Sequence, residues 1–151
     1  MNAPHRLTVW RKADLLAQRI CVALPCDATA PHADLAVRLR AIATDIPLQI
    51  DAGARAAAAP DFAQHIGCAI TLTHDVQYIL GLSQVLGRLA TAECARLQAR
   101  TDQVQRMLAG LLRAVDDRRR RPAAKGRVPK DRDDRATTRR RPLAAASVRA
   151  G

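Results

Sequence analysis

The sequence predicts an all-α protein, an antiparallel up-down four-helix bundle with a disordered basic C-terminal tail. Three observations predict it. Aromatic residues make up 2% of the 151-residue chain (Trp10, Phe62 and Tyr78), while Ala, Leu and Arg abound. Strands favour Val, Ile, Thr and aromatics, whereas Ala, Leu and Arg lead the helix scale. Composition therefore argues against a sandwich, a barrel or an RNA-binding sheet with its row of aromatics. Apolar residues also recur every three or four positions in four successive segments. Finally, charge is segregated: residues 1–117 hold 12 basic and 11 acidic side chains, and residues 118–151 hold 13 and 3. The net charge of +11 thus belongs almost wholly to the tail.

Residues 1–7 read as a frayed arm, residues 8–117 as the bundle and residues 118–151 as the tail. From Thr8, the positions Val9, Ala13, Leu16, Ile20 and Leu24 trace the apolar face of a first helix. Pro25 ends it, and the segment to Pro31, with Asp27 and Thr29, is a connecting loop. A second run starts near His32 and carries Leu35, Leu39, Ile42, Ile46 and Ile50. Pro47 lies inside this run, lacks a backbone donor and should kink or interrupt the helix. Between Gly53 and Ala59 the chain is nearly all alanine, and the pattern allows either continued helix or loop.

Pro60-Asp61 suits a helix start, with proline in the first turn and a carboxylate at the positive end of the dipole. Phe62, Ile66, Ala69, Ile70, Thr73, Val76, Leu80 and Gln84 trace one face, and Ile79, Leu82, Val85, Leu86 and Leu89 widen it. This third helix should be buried on two sides, with Gly87 as its terminator. The fourth starts at Thr91, a candidate cap. It shows the cleanest stripe, Leu97, Thr101, Val104, Leu108, Leu111, Leu112 and Val115, and should end around Asp117. Beyond it come Arg118-Arg119-Arg120-Arg121-Pro122 and a stretch too poor in apolar residues to offset the entropy of ordering.

Little in the chain suggests catalysis. Glu93 is the single glutamate, and no H-E-x-x-H, G-x-x-x-x-G-K-[ST] or G-x-S-x-G occurs. His65 and His74, nine apart, fall on roughly opposite sides of one helix. Cys21, Cys26, Cys68 and Cys94 lack C-x-x-C spacing and read as buried thiols of a cytoplasmic protein, packing as small apolar residues. An enzymatic reading requires Cys21, Cys26 and a histidine to converge on a metal. No catalytic residue, metal or cofactor is expected. No run approaches the roughly 18 apolar residues of a membrane span, and the N-terminal residues lack the apolar centre of a secretory signal.

The tail carries the strongest physical signal. Arginine forks onto phosphate oxygens, and each contact releases condensed counterions, giving affinity with little sequence preference and strong salt dependence. The tail candidates are Arg118, Arg119, Arg120, Arg121, Lys125, Arg127, Lys130, Arg139, Arg140 and Arg141. On the body, Arg38, Arg40, Arg96, Arg100, Arg106 and Arg113 form one outer patch if the second and fourth helices are adjacent. As isolated surface charges they serve equally as solubility residues.

Several motifs also resemble a known family. Leu7-Thr8-Val9-Trp10-Arg11-Lys12-Ala13 resembles the V-W-x-K-A start of the four-helix-bundle family of the 23S ribosomal RNA intervening-sequence protein. Asp45-Ile46-Pro47-Leu48-Gln49-Ile50-Asp51-Ala52-Gly53 is similar to that family's S-I-P-x-N-I-A-E-G signature. Ile46, Pro47, Ile50 and Gly53 match it, while its serine, asparagine and glutamate are replaced. Phe62, Ala69, Asp75 and Leu80 fall where the third helix of the family carries F, A, E and L. Arg106-Met107-Leu108-Ala109-Gly110-Leu111-Leu112-Arg113 resembles its R-M-L-x-x-L-I-R ending. The resemblance covers residues 7–116 and leaves the tail outside.

The resemblance implies a non-enzymatic bundle that assembles as a homopentamer. Within that fold, the basic character of the chain resembles the accessory variability determinant (Avd) branch, whose members bind the reverse transcriptase and RNA of diversity-generating retroelements. The expectation is a cytoplasmic nucleic-acid-binding accessory scaffold whose partners are RNA or DNA, a reverse transcriptase and further copies of itself. The alternative is a homo-oligomeric protein-interaction module of the intervening-sequence type, without a reverse-transcriptase partner.

Overall fold

The computed structural model describes residues 7–121, and the arm residues 1–6 and the tail beyond 121 lie outside the described residues. Four helices follow one another: α1 (Thr8–Ala23), α2 (Ala33–Arg55), α3 (Ala59–Val85) and α4 (Thr91–Arg120). No strand occurs among the described residues. Each helix packs on its neighbours in chain order and α1 closes the ring against α4, whereas the diagonal pairs α1/α3 and α2/α4 make no close backbone approach. This is the expected four-helix bundle.

The 3–4 spacing explains the core. Leu16 and Ile20 of α1, Leu39, Ile46 and Ile50 of α2, Ile66, Val76 and Leu80 of α3, and Leu97, Val104 and Leu108 of α4 are fully buried. Burying each such side chain contributes about 1.5–3 kcal/mol relative to leaving it in water. Small residues allow α2 to run close to α3. A β-carbon placed on buried Gly53 would lie 3.2 Å from His65 Cβ and 3.6 Å from the Phe62 ring.

The connections follow from their residues. The backbone N–H and the hydroxyl of Thr29 both donate to the Asp27 carboxylate, at 2.9 and 2.6 Å, and shape the first loop. That loop ends at His32, the one described non-glycine residue with positive φ (57°). The alanine run resolves into both possibilities: α2 continues to Arg55, residues 56–58 connect, and α3 begins at Ala59 with Pro60 in its first turn. Gly87 terminates α3 at φ +70°. Its N–H donates to the Gln84 carbonyl at 3.0 Å, and the Arg88 N–H donates to the Ser83 carbonyl at 2.8 Å. These two bonds form a complete Schellman cap.

Three expectations need correction. Pro47 does not interrupt α2, which runs unbroken over 23 residues with Pro47 buried inside it. The ring removes one helical hydrogen bond, from the Ala43 carbonyl, without breaking the helix, and it lines a surface cleft together with Trp10 and Ala17 of α1. The fourth helix extends through Arg120 and so includes Arg118, Arg119 and Arg120, which were assigned to the tail. Arginine is a strong helix former, and three cations sit favourably at the negative end of the dipole. Helix α3 is buried on two sides only in part: it packs on both α2 and α4, and Ile79 of the widened face is buried, but Val85 is 83% exposed, Leu86 beyond the helix end is exposed and Tyr78 is 72% exposed. Their spacing reflects an outer stripe, not a second core seam.

Candidate nucleic-acid interface

Helix by helix, charge is distributed unevenly around the bundle. Together α1 and α4 carry ten Lys or Arg against five Asp or Glu, while α2 and α3 carry three against five. No Lys or Arg occurs anywhere in α3. Three of those ten are Arg118, Arg119 and Arg120; without them α1 and α4 carry seven against five, so the cationic excess of this half is concentrated at the end of α4, and the two helices are neighbours.

The outer surface of α4 carries exposed Arg96, Arg100, Arg106 and Arg113, followed by Arg118, Arg119 and Arg120. Arg96 and Arg100 are one turn apart, and Arg106 and Arg113 are two turns apart. The helix of 30 residues spans about 45 Å at 1.5 Å per residue. Arg96 also forms an ion pair with Glu93 at 3.2 Å. Exposed pairs of that kind contribute only about 0.2–1 kcal/mol, so a phosphate can compete for the guanidinium.

Lys12 and Arg19 extend this face and were missed by the sequence reasoning. With Thr8 they stand four and seven positions apart, one stripe of α1, and Thr8 lines the cleft against Met107, Gly110 and Leu111 of α4. Arg19 is exposed and Lys12 half-buried. The available signal was their shared spacing. It became informative only once α1 was known to lie beside α4.

The six body arginines do not form one patch, because α2 and α4 lie across the diagonal. Arg38 is exposed on the α2/α3 side, near Asp75, Tyr78 and Leu82. Arg40 is half-buried, and its Nη1 donates to the carbonyl oxygens of Cys21 and Leu24 at 3.2 Å each. It caps the end of α1 and is committed to that contact. Arg121 lies just past α4, and Lys125, Arg127, Lys130, Arg139, Arg140 and Arg141 lie outside the described residues.

No group of three or more His, Cys, Asp or Glu able to hold a metal occurs among the described residues. His65 Nδ1 is 2.8 Å from Gln49 Oε1 on α2, whereas the Gln105 amide of α4 donates to His74 Nε2 at 2.9 Å. The two histidines thus face opposite neighbours, as their spacing implied. The cysteines differ from the expectation: Cys94 is buried and Cys21 half-buried, but Cys26 and Cys68 are exposed. Cys26 falls in the loop after Pro25, and Cys68 lies on the outer side of α3. Burial pushes the Cys94 thiol pKa up, and its Sγ donates to the Leu80 carbonyl at 3.4 Å.

No described helix is long and apolar enough to cross a membrane. Compared with known proteins, the chain matches no protein-family model and no curated protein.

Proposed function

We propose that the chain is a non-enzymatic nucleic-acid-binding accessory scaffold that assembles with a reverse transcriptase and the RNA of a diversity-generating retroelement. The observation that carries nucleic-acid binding is the cationic α1/α4 half of the bundle, continued in sequence by the arginine-rich segment after Arg120. Side chains that reach phosphates by charge alone give affinity without base reading. The described arginines of α4 are interleaved with no aromatic residue, so that helix offers no stacking platform of the kind that selects unpaired bases. The reverse-transcriptase partner and the homopentamer rest on the motif resemblance over residues 7–116. Five copies would multiply the phosphate contacts of one, and such multivalency raises avidity without new chemistry.

The test is binding of the full chain to RNA and to DNA duplex across a salt series, together with affinity purification of the chain from its native cells. Salt-sensitive binding and recovery of a reverse transcriptase support the reading. Absence of RNA affinity at physiological salt excludes it. A reverse-transcriptase gene beside this one, flanked by near-identical template and variable repeats, would be independent support.

A second reading, a homo-oligomeric interaction module without that partner, is favoured by the outer stripe of α3. Tyr78, Leu82 and Val85 follow one another at helical spacing, with Tyr78 and Val85 largely exposed. This reading gains if light scattering shows a stable oligomer that binds no nucleic acid.

A further inference from the structure

The end of the bundle where α2 meets α3 is left open by small side chains. Gly53 and Ala54 lie in the last turn of α2 before Arg55, Ala56, Ala57 and Ala58 form the connection, and Ala59 opens α3. These residues line a half-open cleft of about 380 Å³, together with Leu7, Phe62 and, on α4, Leu111, Ala114 and Val115. The volume lies within the range of small-molecule sites, which are mostly apolar with a few placed polar groups. One lining side chain is charged, Arg118, and none of the lining residues is acidic. Arg119 and Arg120 do not line the cavity, although they share its helix end.

An apolar cavity with a single guanidinium among its walls is complementary to one class of ligand. The ligand must have an apolar chain to displace water from the alanine walls and one anionic head for the fork of Arg118. A carboxylate meets that fork in two parallel hydrogen bonds. A diffuse polyanion such as RNA finds phosphate contacts on the outside of α4 but has nothing to place among the alanines. We infer that this cavity binds a monoanionic amphiphile of the medium-chain carboxylate class. The site shares Arg118 with the cationic face of α4 but needs neither the other α4 arginines nor a partner protein.

Isothermal titration with decanoate, decanol and decylamine tests this on the full chain. Decanoate should bind saturably and about tenfold more tightly than decanol, with decylamine weakest. Arg118→Ala should bring decanoate down to the affinity of decanol, whereas Arg119→Ala should leave it unchanged. Ala114→Phe, an exposed position on the cavity wall, should block all three ligands while circular dichroism reports an intact bundle. Equal affinity for the three amphiphiles, an equal loss in the Arg119 variant, or no saturable decanoate binding would each overturn the inference.

Discussion

Arg40 of α2 holds the C-terminal end of α1 by donating its Nη1 to the Leu24 carbonyl oxygen at 3.2 Å. The same nitrogen reaches the Cys21 carbonyl, so one cation satisfies two of the carbonyls that a helix end leaves without partners. A cation at that place also opposes the negative end of the α1 dipole. The α1–α2 connection is thereby fixed by a side chain that sequence patterning groups with the phosphate-binding candidates.

Replacing Arg40 by Ala should therefore lower stability and leave nucleic-acid affinity alone. Hydrogen bonds from a charged donor contribute about 1.5–3 kcal/mol, and exposure of the site favours the lower half of that range. Urea denaturation would show a lower midpoint at an unchanged slope. A parallel loss of RNA affinity in the folded variant would return Arg40 to the binding surface.

The cationic half of the bundle makes a position-dependent prediction. Neutralising Arg96, Arg100, Arg106 and Arg113 together should weaken binding across all sequences. Each lost phosphate contact should flatten the plot of log affinity against log salt by about 0.7–0.9. Arg19→Gln should contribute in the same sense because α1 packs beside α4. Arg38→Gln, on the opposite side, should change neither affinity nor slope. If the Arg38 variant weakens binding as much as an α4 variant, charge location is irrelevant and only total charge matters.

How far the sequence could be read depended on whether a feature is local or relational. The stripes of α1 and α4 are local, and Val9, Ala13, Leu16, Ile20 and Leu24 are all buried as the spacing requires. The αL turn at Gly87 was equally legible, because few residues other than glycine adopt that conformation. What escaped depends on neighbours. Pro47 is buried within an unbroken α2, and periodicity does not reveal which helix lies opposite. Val85 fits an apolar stripe yet faces water for the same reason. The arginines of α2 and α4 looked equivalent until the diagonal separated them.

Two glycines should respond to substitution for different reasons. Gly87→Ala forces a β-carbon into the left-handed region, at about 1–2 kcal/mol, although nothing lies within 4 Å of the new atom. Gly87→Asn should recover part of that loss, since asparagine tolerates this conformation better. Gly53→Val meets a steric limit instead, with His65 Cβ already 3.2 Å from the first added carbon. Overpacking of this kind should lower stability by about 1–3 kcal/mol. Thermal melts of the three variants distinguish a conformational cost from a packing cost, because asparagine rescues only the former.

Thiol chemistry should follow exposure. Cys26 and Cys68 are exposed and should be alkylated first, and half-buried Cys21 more slowly. Cys94 combines burial with a raised thiol pKa, so little of it exists as the reactive thiolate. Mass spectrometry of iodoacetamide-treated native protein should find Cys94 unmodified until denaturant is added. Modification of Cys94 at the rate of Cys68 would show that the α3/α4 seam opens readily.

Acid should act on the first loop through Asp27. The Thr29 hydroxyl and N–H, which donate to its carboxylate, hold its pKa below the ordinary value against the opposing effect of desolvation, with a lesser contribution from the Arg88 charge. A carboxyl whose folded pKa is depressed contributes stability that is present above its unfolded pKa, about 3.9, and lost as pH falls through the folded one. Stability should therefore drop below about pH 4 by more in the native chain than in Asp27→Asn, whose loop has no charge to neutralise. Paired urea titrations at pH 7 and at pH 3 measure the difference. Equal pH dependence in the two proteins would mean that protonating the Asp27 carboxyl is not coupled to unfolding.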